Sequence, residues 1–363
     1  MGGGVRIVRW SRSPWLRGGV ALALVVGAVL AIWWRGPDWG AVWDAFDVVT
    51  WRWVILALFI NFLSIVARSV AWKLTVDQAL PEPHPRFAHI FSAFCVGLLG
   101  NAVLPARAGE LARVAVLRRH LPDHPEGTSA TLVGTVFAHR VFDLFPMVLL
   151  IVYVLFTAKI PHWALTSLAI ALVVAFALFA FALASARRHR SSMLEEAGRV
   201  RRLVTMARHG LGVLHEPVPA VIAAVLQIIG WTCQLFAVWA SMRAFDIHEP
   251  LPAAGLVLVL MNVAMLFPLW PGNVGLVQAA VALPLVSYGV PYAKGFAFGI
   301  GLQAIEMSVG VGIGFIFLAR EGLSYAMLRR MPGAEQAEMR HGQEADEEHA
   351  EEQDERARAR VAR

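Results

Sequence analysis

Apolar runs alternate with short polar segments along this chain, and most of the runs are close to one length. Stretches near the roughly 20 residues that cross a bilayer as a helix fall at 18–34, 53–72, 131–157, 163–184, 218–242 and 295–318. Two further apolar stretches, 87–120 and 251–290, are interrupted in a similar way. The first breaks at Gly100 to Glu110, through Asn101, Pro105, Arg107 and Gly109; the second breaks at Pro268 to Gly275, through Gly272 and Asn273. After each break a new helical run opens on small residues. Paired Gly/Pro-broken apolar segments in two halves of a chain point to a transporter's binding site. The pattern predicts an all-α fold, a polytopic membrane helix bundle with two inverted broken or re-entrant segments.

Composition agrees with the pattern. The 363 residues are 58% hydrophobic and 16% charged, against about 25% charged in soluble domains. Cys95 and Cys233 both lie inside apolar runs, which excludes a disulfide or metal framework. Four arginines, Arg6, Arg9, Arg12 and Arg17, precede the run at 18–34, which ends in Trp33-Trp34-Arg35 with no small-residue cleavage site. That run is expected to be a retained first transmembrane helix behind a basic cytoplasmic segment, 1–17.

Basic residues in loops set orientation. The N-terminus, the Arg-rich loop 187–208 and the region after Arg320 are expected in the cytoplasm. The linkers 157–162 and 243–250 are poor in basic residues and are expected outside. Counting crossings, segment 87–120 starts and ends inside, and segment 251–290 starts and ends outside. The two broken segments therefore enter from opposite faces, either as re-entrant hairpins or as double crossings. Residues 187–212 read as a cytoplasmic amphipathic helix on an anionic leaflet. Residues 321–363 read as a charged, disordered cytoplasmic tail; its last part, 332–363, carries ten acidic residues and five arginines.

Ionisable residues in membrane segments are costly and mark function by default. In the first break a helix starting near Gly109 puts Glu110 in its first turn, where the helix dipole favours an anion. Arg113 lies one turn on, on the same face. With Arg107 these residues and the free backbone N–H groups form a cup for an anion such as phosphate; mutual neutralisation is the alternative. The second break supplies backbone instead, through Gly272, Asn273 and Gly275, with Gln278 on the next turn. His139, Arg140 and Asp143 share one side of the run 131–157. Glu306 lies mid-helix with no charged neighbour in its own run. Arg68 and Lys73 are expected to snorkel to the headgroups. No nucleotide, metal-protease, redox or serine-hydrolase motif is present, so no cofactor, metal or nucleic-acid partner is expected.

These motifs resemble the flippase-like family named after the membrane region of lysylphosphatidylglycerol synthases. Three stretches carry the resemblance: Gly97-Leu98-Leu99-Gly100-Asn101 through Leu104-Pro105 to Arg107, Gly109, Glu110 and Arg113; His139-Arg140-Val141-Phe142-Asp143; and Pro268-Leu269-Trp270-Pro271-Gly272-Asn273-Val274-Gly275 to Gln278, with Gly289-Val290 after it. The likeness covers about residues 18–320. It implies a multi-pass protein of the cytoplasmic membrane that moves anionic lipids between leaflets, either phospholipids or polyprenyl-phosphate-linked ones. Some relatives carry a soluble aminoacyl-transfer domain, for which residues 321–363 are too few, so that activity is expected to be absent. The chain departs from the family pattern at Gln278, where Glu is common, and at Glu306, where Arg is frequent.

Two other functions stay open. One is a membrane transferase using a lipid-phosphate-linked donor, although Glu110, Asp143 and Glu306 are scattered along the chain. The other is a non-transporting partner in envelope assembly, with the acidic tail as its contact; association as a homo-oligomer also stays open.

Overall fold

The computed structural model describes residues 37–103, 109–121, 128–161, 217–265 and 273–320. The expected runs 18–34 and 163–184, the amphipathic segment 187–212 and the tail 321–363 lie outside the described residues. Their regular elements are all helices, with no strand among the described residues. In chain order the helices are α1 (Trp39–Asp47), α2 (Trp51–Ala79), α3 (Phe87–Val103), α4 (Gly109–Arg119), α5 (Thr128–Thr157), α6 (Pro217–Ala244), α7 (Leu251–Met265), α8 (Leu276–Val286) and α9 (Tyr292–Arg320).

Among the described residues four helices, α2, α5, α6 and α9, are long and apolar enough to cross a membrane. At 28 to 30 residues each, they reach about 42–45 Å, beyond the ~30 Å hydrocarbon core. Their outer faces are apolar: Phe59 and Leu63 on α2, Phe145, Val148 and Phe156 on α5, and Val221 and Val225 on α6 are all exposed. So large a display of aliphatic and aromatic surface would not persist in water. The protein is a polytopic membrane helix bundle.

Both broken segments fold back on themselves. α3 and α4 pack against each other, as do α7 and α8. With 11 residues apiece, α4 and α8 reach only about 16 Å, roughly half the hydrocarbon core. Close approach in the first hairpin depends on glycine. A Cβ added at Gly100 would lie 2.7 Å from Gly109 Cα, and one at Gly97 would lie 2.9 Å from Arg113 Cβ. Small residues serve this purpose in membrane interfaces, where backbone proximity supplies the packing.

The order long helix, hairpin, long helix occurs twice: α2, α3–α4, α5 and then α6, α7–α8, α9. The halves meet along α2 and α6, the most extensive helix pairing among the described residues. These two run antiparallel. Thr50 N donates to Ala244 O at 2.9 Å, Trp53 meets Trp239 edge to face at 5.7 Å, and Ser64 Oγ donates to Gly230 O at 2.7 Å near both midpoints. Two spanning helices that begin equivalent halves in opposite directions make the halves inverted, as the loop-charge count predicts. Each hairpin rests on the other half: α3 packs on α9, and α7 packs on α5.

Loops gather at the two ends as the charge count groups them. The end of α6, the start of α9 and the linker after α5 share one end, where Lys294 Nζ donates to Asp246 O at 2.9 Å and Lys159 N to Tyr288 Oη at 2.8 Å. At the other end the His89 and His120 rings lie 4.1 Å apart and Phe91 meets Phe317.

The pattern of runs does not anticipate α1. It is short, starts at an Asp38 cap whose Oδ1 accepts from Gly40 N at 2.9 Å, and packs on α9 through Trp39 and Phe296. Asp38→Ala is expected to cost this helix about 1 kcal/mol, read as faster amide exchange over 39–47.

Two large clusters make up most of the described apolar core, and Phe142 with Ala223 forms a small third one between α5 and α6. One large cluster surrounds the first hairpin and the other surrounds the second. On α5, Leu132 and Val136 belong to one and Leu150 and Val154 to the other, with Asp143 between them. On α9, Ile305 and Val309 fall in different clusters, with Glu306 between them. A polar layer thus separates two apolar blocks at mid-height.

Candidate functional site

Asp143 is the hub of that layer. It lies at the midpoint of α5 and is buried. Its Oδ1 accepts from Gln227 Nε2 at 3.0 Å, Trp231 Nε1 at 3.1 Å and Arg68 at 3.4 Å, and its Oδ2 from Arg140 Nη1 at 3.1 Å. Four donors on three helices satisfy a carboxylate that could not otherwise stay charged there. Arg68 does not snorkel, contrary to the sequence-based expectation. α2 continues to Ala79, with Lys73 paired to Asp77 at 2.5 Å one turn apart, and Arg68 falls near its middle. Its guanidinium also sits 5.2 Å from the centre of the Trp231 ring.

The first hairpin joins this hub through Glu110. As expected, α4 begins at Gly109 with Glu110 in its first turn. Glu110 Oε2 is 2.8 Å from Arg113, and Oε1 pairs with Arg140 and accepts from Asn101 Nδ2 at 3.4 Å. Arg113 is buried, with its guanidinium 4.7 Å from the Trp72 ring centre and 5.6 Å from that of Phe94. His139 is buried too, against Phe94 and Gln227. The structure therefore brings together Asn101, Gly109, Glu110, Arg113, His139, Arg140 and Asp143 with Arg68. They line one cavity of about 30 Å³, room for about one water. Among the described residues three arginines face two carboxylates there, an excess of one positive charge. Arg140 is the accessible arginine: its side chain is 43% exposed, against 4% for Arg113. Pro105 and Arg107 lie outside the described residues.

The second hairpin holds a neutral version of this arrangement. Gln278 Oε1 accepts from Gly275 N at 2.6 Å, and Gln278 Nε2 donates to Gln303 Oε1 at 2.6 Å. Asn273, with φ of 44°, donates to Ala264 O at 3.1 Å and ties the break to the end of α7. Gly275 has a φ of 91°, a turn that glycine adopts without strain. Gly272 lies outside the described residues. Glu306, the midpoint of α9, accepts from Gln234 Nε2 at 3.2 Å.

The polar pairs of the two halves correspond. In the first, Glu110 on the short helix meets Arg140, and Arg68 on the leading helix meets Asp143, three residues after Arg140. In the second, Gln278 on the short helix meets Gln303, and Gln234 on the leading helix meets Glu306, three residues after Gln303. Ion pairs in one half stand where amide contacts stand in the other.

The comparisons with known proteins accord with this architecture. The family model described as the lysylphosphatidylglycerol synthase TM region matches residues 20–314. The chain belongs to this family. The match to the lysylphosphatidylglycerol synthase TM region takes in both hairpins, α2, α5 and α6 whole, and α9 as far as Gly314. A UPF0104 membrane protein of Methanothermobacter thermautotrophicus is 23% identical over 286 residues, covering 72% of this chain and 80% of that protein. No solved structure matches.

Gln227, Trp231, Gln234 and Arg68 are absent from the sequence-based site. The first three are neutral residues inside an apolar run, with no charge to draw notice. A polar residue on α6 one or two turns from Gly230, where the two leading helices cross, is the signal that could have found them.

Proposed function

We propose that the protein moves an anionic lipid between membrane leaflets, with the phosphate of the headgroup met by Arg140 and Arg68. The observation that carries this reading is a net-positive cluster among the described residues, with Arg68 and Arg140 near the midpoints of membrane-length helices and Arg113 on the short α4 beside them. Charge at that depth is costly, and guanidinium groups match phosphate oxygens in geometry. The site also has an apolar flank suited to a lipid tail. Trp231 donates to Asp143, and its ring lines a lateral groove of about 280 Å³ with Leu149, Tyr153, Ile228, Leu235 and Phe236. A cavity of about 30 Å³ is too small for a phosphate, so this conformation is closed and transport needs the hairpins to part. The inverted halves provide for alternating access. On this reading the protein does no covalent chemistry and lies in the cytoplasmic membrane with both termini inside.

Arg140→Ala is expected to slow transbilayer movement of a fluorescent phosphatidylglycerol in reconstituted vesicles roughly ten- to hundredfold, the worth of one charge-assisted hydrogen bond. Movement at the wild-type rate would overturn the assignment. Turnover of a labelled polyprenyl-phosphate sugar by the purified protein would favour the transferase instead.

A further inference from the structure

Asp143 and Glu306 occupy corresponding places, each at the midpoint of the last helix of its half and each between the two large apolar clusters. Their surroundings differ in one respect. Asp143 has Arg140 at 3.1 Å and Arg68 at 3.4 Å. Among the described residues Glu306 has a hydrogen bond from the neutral Gln234, and no Lys, Arg or His there forms an ion pair with it. The helices packed against α9 explain this. α2 brings Arg68, which is committed to Asp143. α6 brings the Gln234 amide, and α8 brings Gln278, held by Gln303. α3 presents Leu98, Leu99 and the Cys95 carbonyl to Gly310 and Gly314, and α1 presents Trp39 to Phe296.

A carboxylate at the centre of a membrane bundle needs a positive partner. In the first half the protein supplies it as arginine. In the second half the matching donors are amides, whose oxygens can turn toward a cation where an arginine offers only N–H groups.

We propose that Glu306 is a monovalent-cation site, taking a proton or a sodium ion, whose occupancy is coupled to lipid movement. The cation supplies the charge that Arg68 and Arg140 supply to Asp143. Protonation converts the carboxylate into a hydroxyl donor; sodium leaves it ionised and adds the Gln234 oxygen as a ligand. Either neutralises the midpoint of α9, the helix on which both hairpins rest. An ion gradient across the membrane would thereby bias the hairpins between two arrangements. The coupling rests on the lipid-translocation reading; the cation site does not.

Two measurements on the full chain test it. The first needs no transport. Dicyclohexylcarbodiimide modifies protonated carboxyls in apolar surroundings, and peptide mass spectrometry locates the product. In nanodiscs, from about pH 5 to about pH 9, the range open to a carboxyl in a low-dielectric site, Glu306 should be modified less as pH rises, and Asp143 should stay unmodified. Suppression by sodium at fixed pH assigns sodium; indifference to sodium assigns the proton. An unmodified Glu306, or modification insensitive to both pH and sodium, overturns the site. The second compares wild type with Glu306→Gln in vesicles under a pH gradient without sodium, or a sodium gradient at equal pH. One gradient should accelerate lipid movement by the wild type, and the variant should show no acceleration. A wild type indifferent to both gradients, or a variant that responds as the wild type does, overturns the coupling. A protein that moves no lipid under any condition overturns the translocation reading instead, and the labelling result then stands alone.

Discussion

Asp143→Ala is expected to destabilise the protein by about 3–5 kcal/mol, the cost of leaving a buried charge without its partner. The loss falls on both sides of the seam. Arg68 on α2 and Arg140 on α5 lose their shared counter-ion, while Gln227 and Trp231 on α6 lose their acceptor. An unfolding titration in mixed micelles would measure it. Asp143→Asn keeps an acceptor oxygen and should cost less than the alanine variant. Equal stability of wild type and Asp143→Ala would mean that the cluster does not hold the halves together.

Gly109→Ala should have a comparable effect by a different route. A Cβ there would collide with the carbonyl oxygen of Gly97 and the backbone nitrogen of Asn101. Both obstacles are main chain, so no rotamer change relieves the clash, and α3 and α4 must separate. Overpacking of this kind costs about 1–3 kcal/mol or more. Separation also moves Glu110 from Arg140, so lipid movement should fall along with stability. Gly40→Ala is the control: that position lies outside the bundle core, and its nearest contact is the Asp38 carboxylate at 3.3 Å. A Gly109→Ala protein with wild-type melting and transport would show that the hairpin is not closely packed.

Much of this was legible because the signals are local. Each of the runs 53–72, 131–157, 218–242 and 295–318 lies within a long helix. The breaks announced themselves through Pro and Gly, and the start of α4 at Gly109 followed from residue types within one turn. Loop charges sorted the ends because Arg in loops is a linear property of the chain. What escaped depends on distance in space. The run 53–72 stops just before Lys73, so Arg68 was placed near a helix end; the helix runs on to Ala79, with Lys73 paired to Asp77. Glu306 had no partner in its own run because that partner, Gln234, is on another helix. The match between the charged and the amide-lined halves could not be seen before the hairpins were folded against α5 and α9.

The way the hairpins rest on opposite halves also bears on how the chain is made. α3 is complete roughly 200 residues before α9 emerges, an interval of roughly 10–40 s at common synthesis rates. Throughout that time the surface of α3 that receives Gly310 and Gly314 has no partner from its own chain. α7 finds α5 already made. The first hairpin is therefore the one that must wait in the membrane, and the one on which an insertion chaperone would act.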